Sequence, residues 1–430
     1  MTIKKLLLIL LFIPLALNAQ EDGFGFDDSD FGFSDSSRFS LNIGGEVRAE
    51  LSGFFKDFSS SDKLKNSSLG DIFSGSFNFH AASSAAEAVI NLNIIPVFDG
   101  SSPLEIDEAY VGAFFGQLTV EGGLRKLSWG KADSFGPLDV INPLDFSDLS
   151  KLSDPQSIKI ARPLIRGILT LGDFSRLEGV FVPSFQGHEF AETGIWTPSQ
   201  IKTLQEQLPQ LQSLGVDIKD IYPETNTLEY AQGGLRFTTT IGSSDFGFQY
   251  YFGRFFRPAV IRIFPPPPLP QLPIVGIKYN YYHQVGADFA RVIAGFNLRA
   301  EAAVNLTEDM KGTDQTIENP AFLWSLGFDR DLVWGINLNL QGTGSIESDT
   351  SSTRITGILS RKFLRDELEL KTICLWGIED KDFLIMPALI WSKNDVSTEL
   401  SAGFFGGDRT GELGQYRDNS FFRVILSYTF

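Results

Sequence analysis

The chain has very few residues of the kinds that perform covalent or metal chemistry. Its 430 residues include one cysteine, Cys374, and three histidines, His80, His188 and His283. A single cysteine excludes an internal disulfide framework and every CxxC site. The chain contains neither an HExxH nor a GxSxG pattern, and His80 is the one candidate for a catalytic base. The sequence therefore predicts no enzyme, no cofactor and no metal site.

Long apolar runs are absent beyond the N-terminus. Residues 6–17 are apolar, follow Lys4 and Lys5, and precede Asn18-Ala19-Gln20. This is the pattern of a cleaved secretory signal, so we assign residues 1–19 to a signal peptide. No later run reaches the roughly 18 apolar residues of a membrane-spanning helix. An exported chain of this kind is either soluble or a β-barrel, because only helices and closed barrels cross a bilayer.

Basic residues are scarce relative to acidic ones, with 36 Lys and Arg against 53 Asp and Glu. The resulting charge of -17 at pH 7 argues against nucleic acid as a partner. Acidic residues, phenylalanine and glycine are concentrated in residues 20–38. That composition predicts a disordered periplasmic extension, with a metal or partner site as the alternative. The ordered domain is then expected over residues 39–430.

What the chain does have is an apolar-polar alternation of period two. In residues 296–306, Phe296, Leu298 and Val304 share one face, while Arg299 and Glu301 lie on the other. We predict an all-β, antiparallel transmembrane barrel of about 18 strands, with 14 or 16 as alternatives. The predicted strands are 39–55, 71–82, 85–97, 104–115, 117–129, 162–172, 174–184, 228–241, 245–256, 275–288, 292–306, 321–329, 332–345, 353–363, 366–377, 382–392, 396–406 and 419–430.

Alternation also occurs in soluble sandwiches, and three further features favour the outer membrane. Short connections alternate with long ones, as between periplasmic turns and outer loops. Aromatic residues recur near strand ends, as in interfacial girdles. The last strand places Tyr428 and Phe430 on its apolar face, which resembles the assembly signal of bacterial outer-membrane barrels. We therefore expect outer-membrane lipid and the barrel assembly machinery as partners, and leave homo-oligomers open.

Four long connections have distinct compositions. Residues 130–161, here the inner loop, mix charges with apolar residues, which predicts a loop folded into the barrel. Residues 185–227, the helix loop, contain a short surface helix capped by Thr197, started by Pro198 and stopped by Gly215. Residues 257–274, the Pro-rich loop, are expected to be stiff and extended. Residues 407–419, the acidic loop, are expected to be solvated.

The stretch from Arg125 to Asp145 is where we expect the functional site. Trp129 is placed to anchor the inner loop at the wall, and Asn142-Pro143 to form a turn. Asp139 or Asp145 is expected to pair with an arginine across the lumen. The candidate latch and constriction residues are Arg125, Trp129, Lys131, Asp133, Asp139, Asn142, Asp145, Arg162 and Arg166. A purely structural latch that touches no solute is the alternative to a constriction.

The strand phase predicts which charges line the lumen. The candidates are Glu108, Glu121, Arg236, Arg299 and Glu301. Because acidic and basic residues balance on the predicted inward faces, which also include Lys278, the wall predicts no strong ion preference. In the inner loop, Asp133, Asp139, Asp145 and Asp148 outnumber Lys131 and Lys151, which predicts a weak cation bias.

Residues 107–185 carry the series D-E-A-Y-V, L-R-K-L-S-W-G-K-A-D, D-V-I-N-P-L-D-F and L-E-G-V-F-V-P-S-F. The series resembles an uncharacterised family of Gram-negative outer-membrane porin-like proteins, over about a fifth of the chain. The resemblance implies a shared strand-and-inner-loop arrangement of Glu108, Tyr110, Arg125, Trp129, Gly130, Lys131, Asp133, Asp139, Asn142, Pro143 and Asp145. Lys126 and Leu124 depart from the usual Gln and Gly of that family.

The sequence as a whole predicts a porin-like channel for small polar or amphipathic solutes, constricted by the inner loop. A surface adhesin or receptor barrel is one alternative, because the long loops offer contact surface. A transporter of hydrophobic solutes is the other, because the chain contains 39 phenylalanines.

Overall fold

The computed structural model describes residues 39–55, 72–95, 103–213, 222–263 and 274–430. The predicted signal peptide, the predicted periplasmic extension and residues 264–273 of the Pro-rich loop lie outside these ranges.

The described residues form twenty-two strands and one helix of more than one turn. The strands are β1 (Ser40–Phe54), β2 (Phe73–Ala82), β3 (Ala86–Ile94), β4 (Leu104–Phe115), β5 (Leu118–Arg125), β6 (Asp145–Phe146), β7 (Arg162–Leu171), β8 (Ser175–Val182), β9 (Glu189–Phe190), β10 (Gln232–Ile241), β11 (Ser244–Arg254), β12 (Ala259–Ile263), β13 (Ile274–Lys278), β14 (Tyr281–Ile293), β15 (Phe296–Thr307), β16 (Ala321–Asp331), β17 (Ile336–Ile346), β18 (Ser351–Phe363), β19 (Leu368–Gly377), β20 (Asp382–Lys393), β21 (Val396–Gly407) and β22 (Phe421–Thr429). The helix, α1, spans Ser199–Ser213 and contains Pro209.

Eighteen of these strands make one closed antiparallel sheet. Each strand pairs with its neighbour along the chain once the short pairs β6–β9 and β12–β13 are set aside. β1 also pairs with β22, from Glu46 opposite Thr429 to Phe54 opposite Phe421, and this seam closes the barrel. The prediction of an antiparallel barrel with about 18 strands is confirmed.

The two faces of the sheet differ as the alternation predicts. Val47, Val285 and Leu326 lie on the outer face and are 53%, 55% and 60% exposed. Glu301, which lies on the inner face of β15, is only 4% exposed. An exposed apolar exterior around a polar interior is typical of a barrel whose solvent is lipid. Among the described residues, no helix is long and apolar enough to cross a bilayer.

One hairpin differs from its prediction. β14 and β15 turn at Ala294 and Gly295, whose φ angles are 50° and 81°, and not at residues 289–291. The left-handed turn favours this position because Gly295 adopts a positive φ without steric cost. Residues 274–278 form the separate strand β13, so Lys278 lies outside the barrel wall, 3.7 Å from Glu308. The prediction that Lys278 faces the lumen was wrong.

Candidate functional site

The first half of the inner loop is fixed to the wall on the far side from β5. The carboxylate of Glu301 on β15 accepts the backbone N–H groups of Lys131, of Ala132 at 2.7 Å and of Leu138 at 3.3 Å. Gln341 on β17 accepts the N–H of Asp133 at 2.8 Å and donates to the carbonyl of Ser134. Since β15 and β17 are six and eight strands from β5 around the sheet, the segment crosses the lumen.

The second half of the inner loop packs on another part of the wall. Leu149, Leu152 and Ile158 are buried against inward apolar side chains of β19 to β22, including Ile373 and Leu384. The guanidinium of Arg423 donates to the carbonyl of Ser150 at 3.3 Å. The predicted inward fold of this loop is therefore confirmed.

Asn142 joins the ends of the inner loop at the wall. Its side-chain oxygen accepts the N–H of Leu127 at 2.8 Å, and its amide donates to the carbonyls of Arg125 at 3.0 Å and Ile160 at 2.8 Å. Trp129 is 4% exposed, and its indole N–H donates to Glu178 at 2.8 Å. Trp129 thus lies at the wall, where the sequence predicted an anchor, whereas Asn142, which was predicted to form a turn with Pro143, bridges the two ends of the inner loop.

The aspartates of the inner loop pair differently from the prediction. Asp139 lies 2.6 Å from the ammonium of Lys159, and Asp133 lies 2.5 Å from Arg299. Asp145 accepts the N–H of Ser147 at 2.8 Å. The predicted pairs of Asp139 or Asp145 with Arg125, Arg162 or Arg166 were wrong.

The three arginines have closer partners in their own part of the wall. Arg125 pairs with Glu121 and lies 4.0 Å from the ring centroid of Tyr110. Arg166 pairs with Glu178 at 2.8 Å and with Glu121 at 3.2 Å. Arg162 donates to the carbonyls of Ser184 and, at 3.1 Å, of Gln186. These hydrogen-bond and ion-pair partners lie on β5, on β8 and in the chain just after β8, and none of them is an aspartate of the inner loop.

The remaining candidates lie on the lumen face. Arg236 pairs with Asp288 at 2.5 Å and donates to Gln249 at 2.7 Å. Glu108 accepts the N–H of Lys126 at 2.7 Å. The ammonium of Lys131 lies 3.9 Å from Asp245.

Several charged side chains on the lumen face are partly exposed along β1 to β4. There the side chains of Arg48, Glu50 and Glu87 are 35%, 23% and 22% exposed. By contrast, Glu178 on β8 and Arg236 on β10 are 2% and 4% exposed. The inner loop and its partners thus cover the wall at β8 and β10 and leave the β1 to β4 wall accessible, together with Asp329 on β16 and Glu399 on β21, whose side chains are 30% and 24% exposed.

The inner loop is also joined to the helix loop. β6 and β9 pair in parallel, Asp145 with Glu189 and Phe146 with Phe190. The N–H of Leu144 donates to Nδ1 of His188 at 2.9 Å. Burial, and to a lesser degree the nearby Arg257, lower the pKa of His188 to about 3. The imidazole is therefore neutral at ordinary pH, with its proton on Nε2 because Nδ1 is an acceptor.

The acidic loop is not merely solvated, so that prediction was wrong. Leu413 and Tyr416 are buried, and Tyr416 packs edge-on against Trp196 of the helix loop with ring centroids 5.9 Å apart. Glu412 forms ion pairs with Arg257 and, at 2.8 Å, with Arg354. These two guanidinium groups outweigh the effect of burial and lower the pKa of Glu412 to about 2.

The predicted surface helix is present, but its predicted cap is not. The Thr197 hydroxyl is buried with no hydrogen-bond partner among the described residues. The N–H of Ser199 instead donates to Gln415 of the acidic loop at 3.0 Å. Packing between loops has replaced the local cap.

The three histidines are dispersed. His80 lies on β2, 3.4 Å from Glu87, and His283 on the outer face of β14 lies 2.7 Å from the Tyr250 hydroxyl. Within the described ranges, no group of three or more His, Cys, Asp or Glu side chains is arranged to hold a metal ion.

No family model and no curated protein sequence matches the chain. Solved outer-membrane proteins are similar in structure. OccK3 (OpdO) of Pseudomonas aeruginosa gives a TM-score of 0.50 at 8% identity, over 91% of this chain and 96% of that one. The outer membrane protein OpdK of the same organism gives 0.50 at 7% identity, over 91% and 99%. At such low identity the likeness shows the barrel fold.

Proposed function

We propose that this protein is an outer-membrane channel for small polar or amphipathic solutes, constricted by the inner loop. The observation that carries the proposal is the inner loop itself, which crosses the lumen on polar and apolar anchors yet leaves one wall accessible. A loop held across a wet lumen narrows the passage without filling it. Because the sequence identity to OccK3 and OpdK is low, the structural likeness supports the barrel fold and says nothing about the substrate.

The location follows from the two ends of the barrel. The short turns and Phe430 would face the periplasm, and the long loops the cell exterior. The exposed apolar side chains of the outer face would contact lipid. Insertion by the barrel assembly machinery, cleavage after residue 19 and possible homo-oligomers belong to the same proposal.

The ion preference is assigned to the accessible wall. Asp133 and Asp139 are paired with Arg299 and Lys159, so the inner loop adds little free negative charge. The inward charges along β1 to β4 are mostly carboxylates, Glu46, Glu50, Glu87, Glu105 and Glu108 against Arg48. A weak preference for cations would therefore arise from this wall.

The motif series supports the relationship with the porin-like family. Glu108, Arg125, Trp129 and Asn142 all belong to the series, and all contact the base of the inner loop or its strand. We propose that the series marks this arrangement in related chains, and that the protein has no catalytic role.

The test is single-channel conductance of the refolded chain in a planar bilayer, beside two deletion variants. Deleting Asp133–Asp148 removes the crossing segment and should raise the conductance severalfold. Deleting residues 311–315, which are exposed in the connection after β15, should leave it unchanged. Folding of each chain is checked by its heat-modifiable shift on a gel. Three folded chains that carry no current would refute the channel and favour a surface-binding barrel.

A further inference from the structure

A cavity of about 190 Å³ lies where the inner loop meets the helix loop and the end of β11. Trp129, Phe135, Asp139, Gln156, Lys159 and His188 are among its lining residues. An apolar cavity of about 150 Å³ is large enough for benzene. This cavity therefore has the size for one six-membered ring with small substituents.

The charges around the cavity cancel. Asp139 is paired with Lys159 at 2.6 Å, and Asp133, which also lines the cavity, with Arg299 at 2.5 Å. A charged ligand would have to break one of these pairs to find a counter-ion, leaving a half-buried charge unpaired. An uncharged ligand fits without that cost.

Polar groups with unused hydrogen-bonding capacity also line the cavity. Oδ1 of Asp139 is buried and accepts no hydrogen bond from the described residues. The neutral His188 has its proton on Nε2, because Nδ1 accepts the N–H of Leu144. Gln156 accepts a bond from Ser128 through Oε1 at 3.3 Å, which leaves its amide N–H groups as donors. The site offers both acceptors and donors.

Aromatic rings supply the rest of the lining. Phe135, Phe256 and Trp129 border the same space as these polar groups. Aromatic surface with a few placed polar groups is the usual composition of small-molecule sites, in which the polar groups fix the orientation. An apolar ring would leave Oδ1 of Asp139 without a donor, whereas a ring with several hydroxyl groups would pair with this acceptor and with the donors together.

We propose that this cavity binds one uncharged, polyhydroxylated six-membered ring, the size of a single sugar unit, as the solute passes the inner loop. The passage of the solute rests on the proposed channel function, whereas its binding rests on the cavity alone. It also narrows the solute class from small polar molecules to neutral polyols.

The test titrates D-glucose, L-proline and benzyl alcohol against the folded protein in detergent by calorimetry. These probes are a neutral polyol, a zwitterion and an apolar ring. We expect saturable binding of D-glucose alone, weakened about tenfold, or 1.4 kcal/mol, by Gln156→Leu and by Asp139→Asn. Ser74→Ala, on the accessible wall away from the cavity, serves as the control and should bind as the native chain does.

Current recordings with the same probes separate the two proposals. Blockade of the native channel by D-glucose, relieved in Gln156→Leu, supports both. A conducting channel with no glucose binding, or one that prefers L-proline or benzyl alcohol, overturns the polyol site and leaves the channel. Glucose binding without any conductance overturns the channel and leaves the site.

Discussion

His188 shows how one side chain joins two loops. Its Nδ1 accepts the N–H of Leu144, and its own backbone N–H donates to the carbonyl of Phe256 at 3.0 Å. A protonated imidazole would lose the acceptor at Nδ1, and burial makes the charged ring costly. The junction between the inner loop and the helix loop therefore depends on a neutral histidine.

This dependence predicts a pH response. The pKa of His188 is about 3 in the folded chain against about 6.5 for a free histidine. Since the folded pKa is depressed, the stabilisation is fully present above pH 6.5 and is lost as the pH falls toward 3. Hydrogen exchange of the Leu144 amide, corrected for the intrinsic rate, should accelerate over that window. His188→Gln keeps an acceptor without a titrating ring and should flatten the response. Equal pH dependence in the two chains would contradict this role.

At the scale of elements, the long connections act on one another. Glu412 of the acidic loop holds Arg257, which follows β11, and Arg354 on β18. Arg257 lies in the loop after β11, Glu412 in the loop after β21 and Arg354 near the start of β18, so the three residues come from separate positions around the sheet. Because the pKa of Glu412 is about 2, acidification in the ordinary range does not release the two arginines.

We call the pairing of Glu412 with Arg257 and Arg354 the clamp, and it can be tested by substitution. Glu412→Gln removes the charge that both arginines share, so the loops should open more often. We expect chymotrypsin to cut after Phe256, the neighbour of Arg257, several times faster in the folded variant, with more frequent current fluctuations. Arg409→Gln removes an exposed ion pair with Asp418 in the same loop, at 3.3 Å, and should change little because exposed pairs contribute little. Similar cutting rates in both variants would argue against a clamp.

The success of the sequence-based prediction differed between kinds of element. All eighteen wall strands were predicted because lipid on one side and water on the other impose period two. The hairpin at Ala294-Gly295 was misplaced because apolar residues continue on both sides of the turn. The burial of Leu413 and Tyr416 was missed because the acidic loop has the composition of a solvated segment. Pairing across the lumen, as between Asp133 and Arg299, has no local sequence signal.

The whole molecule depends on the seam between β1 and β22. Gly45 and Phe430 exchange two backbone hydrogen bonds of 3.0 Å, and the Phe430 ring packs edge-on against Phe77. A Cβ on Gly45 would lie 2.7 Å from that ring and 2.5 Å from the carbonyl of Ser76. The terminal aromatic, which the sequence marked as an assembly signal together with Tyr428, thus also lies on the closing seam.

Gly45→Val should therefore impair closure. We expect a markedly lower yield of heat-modifiable barrel on refolding into detergent or vesicles, because the ring and the Ser76 carbonyl would have to move apart. Gly122→Val is the matched control, since Gly122 is also on an outer strand face and has open space around its Cβ position. Equal yields from the two variants would show that the seam tolerates a side chain there.

The parallel pairing of β6 with β9 joins the inner loop within the lumen to the helix loop at the rim through backbone hydrogen bonds. An antibody that binds the helix loop would therefore pull on the inner loop, although the antibody never enters the lumen. The width of the passage would then respond to mechanical load from outside as well as to the solutes within it.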